Sequence, residues 1–334
     1  MTPIDRLYNM KFCRGRLAKA AFVIKRRPSV GPLENGCTLD KPVVLISADL
    51  ELGWGWRYSK NGEDPNSMAL KARENMPRLM NMFEKYEIPV TWAIVGHLFL
   101  HSCNRNSHSW MRRIPYFQNR NWVYSSGDWY DADPCTKWNN EPAWYAPDLV
   151  DMILQSSAKH EIGCHTFSHI DFSYENCPSD VAEDEITACI DAARRWGIGL
   201  KSFVFPGGTY GNYEILQRKG FRAYRKTLDY ELCSPMFDDH GLLVLPASVE
   251  LGDCHLGWSA EYFVKRYSKY ITKTINHKTL CHFWFHPSLD SGYVRDVLPV
   301  LLELIADLRN KGDLVIDTMG GISDKLLQRS AAKS

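Results

Sequence analysis

The chain has 334 residues, 45% of them apolar and 24% charged, a globular composition that excludes intrinsic disorder as its main state. Lys and Arg total 40 against 39 Asp and Glu, so no global field selects nucleic acid, and any charged partner must be recognised locally. Ten cysteines include no C-x-x-C pair, which predicts reduced, mostly buried thiols in a cytoplasmic protein.

Residues 1–40 read as a basic arm. The first 30 carry eight Lys or Arg against one acid, with Leu7, Met10, Leu17, Ala21 and Ile24 at near-helical spacing. Lys19 interrupts the apolar stretch, which argues against an export signal. The pattern fits either a solvated tail or a segment peripheral to the inner face of an anionic membrane. No apolar run reaches the roughly 18 residues of a spanning helix.

A domain of residues 41–320 follows. Its first run, 43–48, is short and β-branched and predicts a buried strand. Residues 69–86 predict an amphipathic helix and 90–95 a second strand. The insertion 100–145 holds Trp110, Trp122, Trp129, Trp138 and Trp144, whose ring faces suit either stacking on sugars or packing the loop onto the domain. Pro147 opens a helix, 161–164 is a strand, and 179–196 is a helix with acids at its start and Arg194 and Arg195 at its end. Strands at 202–205, 221–225, 242–245, 280–285 and 314–316, with helices at 261–274 and 294–310, complete the domain. Residues 321–334 read as a tail. This alternation predicts a parallel sheet with helices outside and chemistry at the carboxyl ends of the strands. The first strand's turn, ADLELGWGW, lacks G-x-G-x-x-G, which disfavours dinucleotide binding.

Three polar clusters fall at strand ends. Asp49 and Glu51 share one face of extended backbone and repel unless a cation or a shared proton intervenes. His165 and His169, four apart on a supposed helical turn, complete with one carboxylate a two-His, one-acid ion site open to water. His282 and His286 share a strand face, and His286, nearer the mouth, is placed either to donate a proton or simply to pack. A further pair, His97 and His101, lies in an apolar stretch and reads as packing or surface histidines. No G-x-S-x-G motif supports a serine hydrolase. Asp49 and Glu51 sit on one segment rather than across a scissile bond, which disfavours a paired-carboxylate glycosidase.

The set ISADLELGW, HEIGCHTFSH, SFVFPGGTYGN and FWFHPSL, in this order, resembles the polysaccharide deacetylase family, the NodB homology or family four carbohydrate esterases, from about Val43 to Met319. The resemblance implies a distorted (β/α)7 barrel and metal-dependent removal of N-acetyl or related acyl groups from sugars. It implies Glu51, His165 and His169 as metal ligands, Asp49 as base with the roles of the two acids exchangeable, and His286 as catalytic acid. A bell-shaped pH profile follows from that pair. The family's R-x-P-x-G loop matches Val204 to Gly208, so Pro206, Gly207 and Gly208 would border the substrate and offer a backbone N–H. Val204 stands where the family has arginine, and Arg225 is the candidate substitute. No segment matches the family's D-x-x-D-W pattern. Trp129 is taken as the sugar platform.

Zinc suits the ligand set best, and iron, cobalt, nickel or manganese also fit it. The expected partner is an N-acylated sugar or glycan, nucleotide-linked or lipid-linked. Two other readings stay open: a noncatalytic glycan-binding protein, and an allantoinase-like metal amidase acting on a small amide.

Overall fold

A computed structural model describes residues 28–32, 36–108, 113–125, 127–252 and 259–331, so the basic segment 1–27 and its membrane reading lie outside the described residues. The barrel follows from in-out alternation along its strands. In β1, Val43–Leu50, the side chains of Val44, Ile46, Ala48 and Leu50 join the large core shared with the outer helices, whereas Val43 and Leu45 join a separate cluster in the lumen. Ser47 and Asp49 continue the inward face upward from these two, so a period of two carries the lumen from apolar floor to charged mouth.

Helix α1, Pro65–Lys85, follows; it starts earlier than its apolar pattern because Asp64 caps it, accepting from Ser67 N at 2.9 Å, with proline in the first turn. Then come β2, Thr91–Ile94; α2, Pro147–Gln155; β3, Glu161–Cys164; α3, Ser179–Arg194; β4, Ser202–Val204; α4, Tyr213–Arg218; and β5, Ala223–Thr227. They are followed by β6, Leu243–Ala247; α5, Ala260–His277; β7, Leu280–Phe285; α6, Ser291–Asp296; α7, Leu298–Asn310; β8, Val315–Asp317; and α8, Met319–Ala331. The pairings β7-β1-β2-β3-β4-β5-β6 are all parallel. Beyond Ser248 the chain of β6 continues as Val249–Glu250, which pairs with β7. The ring therefore closes on seven strands, the distorted barrel that the sequence implies.

Three segments differ from expectation. Residues 319–331, largely read as a tail, form α8, whose Met319, Ile322 and Leu326 are buried against Leu45, Val204 and Leu245 and plug the barrel floor. The Glu161 carboxylate fastens this plug by accepting from Gly320 N, Thr91 Oγ1 and Ser202 Oγ, each at 2.8 Å. Residues 28–32, assigned to the arm, lie along the body, with Gly31 N donating to Leu232 O at 2.9 Å. The insertion folds into two short hairpins, and Trp122, Trp129 and Trp144 are buried in it. Trp129 and Trp144 serve packing alone, whereas Trp122 also borders the cavity. Eight described cysteines are free thiols, five of them buried, and no helix of the described residues is long and apolar enough to cross a membrane.

Because Met319 is wholly buried and Gln328 is exposed, Met319→Ala is expected to lower the free energy of unfolding by about 2–5 kcal/mol. Gln328→Ala should stay within about 0.5 kcal/mol of wild type, as read from urea denaturation.

Candidate active site

The mouth of the lumen is a cavity of about 400 Å³, within the range of ligand pockets. Asp49, Glu51, His165, His169 and His286 all line it, so the strand-end clusters meet. Glu51 lies just beyond β1, and its Oε2 is 2.7 Å from His169 Nε2 and 3.4 Å from His165 Nε2. A Cβ at Gly55 would land on this carboxylate, so the short helix Gly53–Trp56 passes over Glu51 only as glycine.

The two histidines are not on a helix. His165 directly follows β3, and the backbone then curls through left-handed Thr166 (φ 57°) and His169 (φ 56°), conformations that cost about 1–3 kcal/mol each and persist only where surroundings enforce them. The enforcing groups are identifiable. Glu185 of α3 accepts from Phe167 N at 2.9 Å and Ser168 N at 2.8 Å, and also from the Ser168 hydroxyl. Arg57 donates to Ser168 O at 2.5 Å, and Trp129 Nε1 donates to Ser168 Oγ at 2.9 Å. The Arg57 guanidinium is sandwiched between the Trp54 and Trp129 rings at 4.2 and 4.1 Å, and burial lowers its pKa to about 10.

Trp129 is thus no exposed sugar platform. It is 1% exposed and lies outside the cavity lining, where it holds the histidine loop; Trp56, Trp122 and Trp284 line the cavity instead. Gly207 and Gly208 also line it, whereas Pro206 does not. Gly207 has φ 56° and a Cβ there would approach Trp122 to 2.6 Å. The Gly208 N–H is turned away to Phe205 O at 3.2 Å.

The donor set fits a divalent cation. His165 Nδ1 lies 2.8 Å from Val204 O; a carbonyl only accepts, so Nδ1 holds the proton and the Nε2 lone pair faces Glu51. His165 Nε2 and His169 Nε2 are buried without hydrogen-bond partners, and an anionic oxygen beside two imidazole nitrogens asks for a positive centre.

Asp49 is served differently. Arg225 Nη1 donates to Oδ1 at 2.8 Å and Nη2 to Oδ2 at 2.5 Å, and Nη1 also reaches Ser47 Oγ at 2.9 Å. Burial works to raise the Asp49 pKa, but Arg225 and then His165 bring it below the usual carboxylate range. Arg225 is the cross-strand partner of Val204, so it enters the lumen beside the position where the family carries its arginine. His282 accepts or donates at Ser47 Oγ, 2.8 Å away, and burial with nearby Arg225 holds its pKa well below the usual imidazole value. His286 stands at the mouth, with Nε2 3.5 Å from Glu51 Oε1 and Nδ1 3.4 Å from Glu250 Oε1. Burial opposes its charging, yet Glu51, Glu250 and Asp49 raise its pKa to about 9.

Residues 64–224 match the sequence profile described as polysaccharide deacetylase. Over that span, just under half of the chain, the sequence is similar to the polysaccharide deacetylase family. This is a family of metal-dependent hydrolases acting on N-acetylated glycans. The match holds His165, His169 and the Pro206 to Gly208 loop, while Asp49, Glu51 and His286 join them through the barrel's geometry. A Mycobacterium smegmatis protein assigned to the polysaccharide deacetylases is similar in structure, with TM-score 0.61 and 14% identity over 90% of this chain and 96% of that one. A Pseudomonas aeruginosa PAO1 protein with the same assignment has TM-score 0.59 and 14% identity over 86% and 91%. Puue allantoinase has TM-score 0.57 and 14% identity over 84% and 89%. At this identity the likeness is one of fold. No curated protein matches the chain.

Sequence reasoning missed Glu185, although Ala182, Glu185, Ile186 and Cys189 form one buried helix stripe and a glutamate inside such a stripe is itself a signal. Glu250 carried no comparable mark. The Asp49–Arg225 pair, with side chains 4% and 9% exposed, is a buried one. Arg225→Met is expected to cost about 3–5 kcal/mol of stability. Asp49→Asn in that background should return most of it, a coupling measurable by denaturant unfolding of the single and double variants.

Proposed function

We propose that the protein is a metal-dependent N-deacylase of sugars. The observation that carries this is the convergence of Glu51 Oε2, His165 Nε2 and His169 Nε2 in one cavity with Arg225-clamped Asp49 and with His286. These three residues would hold a divalent ion, zinc first on ligand type. When bound, the ion supplies Lewis-acid polarisation of the acyl carbonyl and a more acidic attacking water.

The chain's own groups do the rest. Asp49, kept ionised by Arg225, takes a proton from the attacking water. His286, charged beside Glu51 and Glu250, gives a proton to the departing sugar nitrogen as the C–N bond breaks, leaving a free acid and an amine. Trp56, Trp122 and Tyr210, all on the cavity wall, offer faces for the sugar ring. The substrate is an N-acylated, most simply N-acetylated, sugar unit of a glycan or of a nucleotide-linked or lipid-linked precursor. A wall of aromatic rings around the reacting groups supports a sugar over a small linear amide.

The reading is tested by acetate or formate release from a panel of N-acylated sugars. Release should vanish with a chelator and return with added zinc. Asp49→Asn and His286→Ala should each lower kcat by about 10²–10⁴-fold, with circular dichroism showing intact folds. Release unaffected by both substitutions would overturn the role assignment. Placing arginine opposite its native position, as Val204→Arg with Arg225→Val, should recover part of the activity that Arg225→Val loses.

A further inference from the structure

Behind the histidine loop, away from the cavity lining, four side chains of different elements converge. His97 lies in the short 3-10 turn after β2, Cys103 and His108 in the first part of the insertion, and Asp133 near its end. One ligand atom of each lies within 4.8 Å of all the others. Asp133 Oδ2 is the common point: it is 3.1 Å from His97 Nε2, 3.9 Å from His108 Nε2 and 3.2 Å from Cys103 Sγ. His97, His108 and Asp133 are at most 4% exposed.

The outer contacts orient His97 and Asp133 toward this point. His97 Nδ1 is 3.1 Å from Trp144 O, so Nδ1 carries the proton and the Nε2 lone pair faces the carboxylate. The approach of Nε2 to Asp133 lacks hydrogen-bond geometry. Asp133 Oδ1 is satisfied elsewhere, accepting from Tyr145 OH at 3.0 Å and Cys135 N at 2.9 Å, which leaves Oδ2 for the centre. A lone pair, a thiol and a second imidazole gathered on one carboxylate oxygen form a donor set that a cation would complete.

We propose that His97, Cys103, His108 and Asp133 form a second metal site, a structural zinc site distinct from the one at the barrel mouth. Two imidazoles, a thiolate and a carboxylate supply four ligands, the number of a closed tetrahedral zinc site with no open position for catalysis. The thiolate selects zinc over magnesium or calcium. Binding releases the Cys103 thiol proton to solvent, and thiolate and carboxylate together then balance the two charges of the ion, so the buried centre is neutral. Its work is mechanical. It ties the start of the insertion to its end beside Tyr145, and Phe167 of the histidine loop packs against both rings, at 5.7 Å from His97 and 5.4 Å from His108.

Cobalt(II) replacing zinc in the full-length protein separates the two sites, because only this one has a thiolate. The expected result is a near-ultraviolet thiolate-to-cobalt charge-transfer band, with about two metal equivalents per chain. Cys103→Ser should remove the band and one equivalent, whereas His165→Ala should lose one equivalent and keep the band, and Cys135→Ser should change neither. If Cys103→Ser does not fold, cobalt titration of the wild type still decides. Absence of a charge-transfer band in the folded wild type at saturating cobalt overturns the proposal, whatever the fate of the deacylase reading. So does a band that survives Cys103→Ser.

Discussion

Alternate residues of one segment, Val43, Leu45, Ser47, Asp49 and Glu51, continue up one face of the lumen, and the last two are carboxylates buried at its mouth. Two such anions cannot share a low-dielectric lumen without compensation. Each finds a different partner. Asp49 is matched by a fixed organic cation, Arg225, through a bidentate pair, whereas Glu51 faces imidazole lone pairs that a metal cation would complete. The division of labour between two acids two residues apart is therefore set by what stands across the barrel from each. The lower half of the lumen needs no such compensation, because α8 fills it with Met319, Ile322 and Leu326.

The strands were readable because each is a short apolar run whose two faces meet different environments, and the alternation along β1 and β7 also aligned their polar ends. The four-residue spacing of His165 and His169 was readable, but its conformation was not. It rests on left-handed Thr166 and His169, stabilised by Glu185 and Arg57, and such long-range clamps leave no local periodic trace. Helix α8 was missed for a related reason: Met319, Ile322 and Leu326 make a thin stripe broken by Gly320 and Gly321, and only the barrel floor makes that stripe a helix. In the insertion, aromatic content alone could not separate stacking surface from packing core. Burial of Trp129 resolves it in favour of packing.

The histidine loop links these separate observations. Its backbone strain is balanced by acceptors and donors from three directions: Glu185 on α3, Arg57 beyond β1, and Trp129 from the insertion, all meeting at Ser168. Because all three are buried, and Arg57 stacks on Trp129, a change in any one is transmitted to His169 without touching it. That makes the insertion part of the site's support, beyond the Arg120, Asn121 and Trp122 that it contributes to the cavity wall.

The position of Arg225 shows how a cation can move between strands while its task is kept. In a parallel pair, residues in register present their side chains to the same face, and Val204 and Arg225 are such partners on β4 and β5. An arginine from either strand would enter the lumen at the same height, and its approach to Asp49 would differ only by one strand's rotation around the barrel. The Trp284 ring, 4.7 Å beneath the Arg225 guanidinium, and the Ser47 hydroxyl fix the approach from β5. Val204, freed from carrying charge, packs into the apolar floor with Leu45 and Leu245, while its carbonyl still orients His165. The departure from the family motif is thus compensated within the same layer of the barrel, and Asp49 keeps a guanidinium partner.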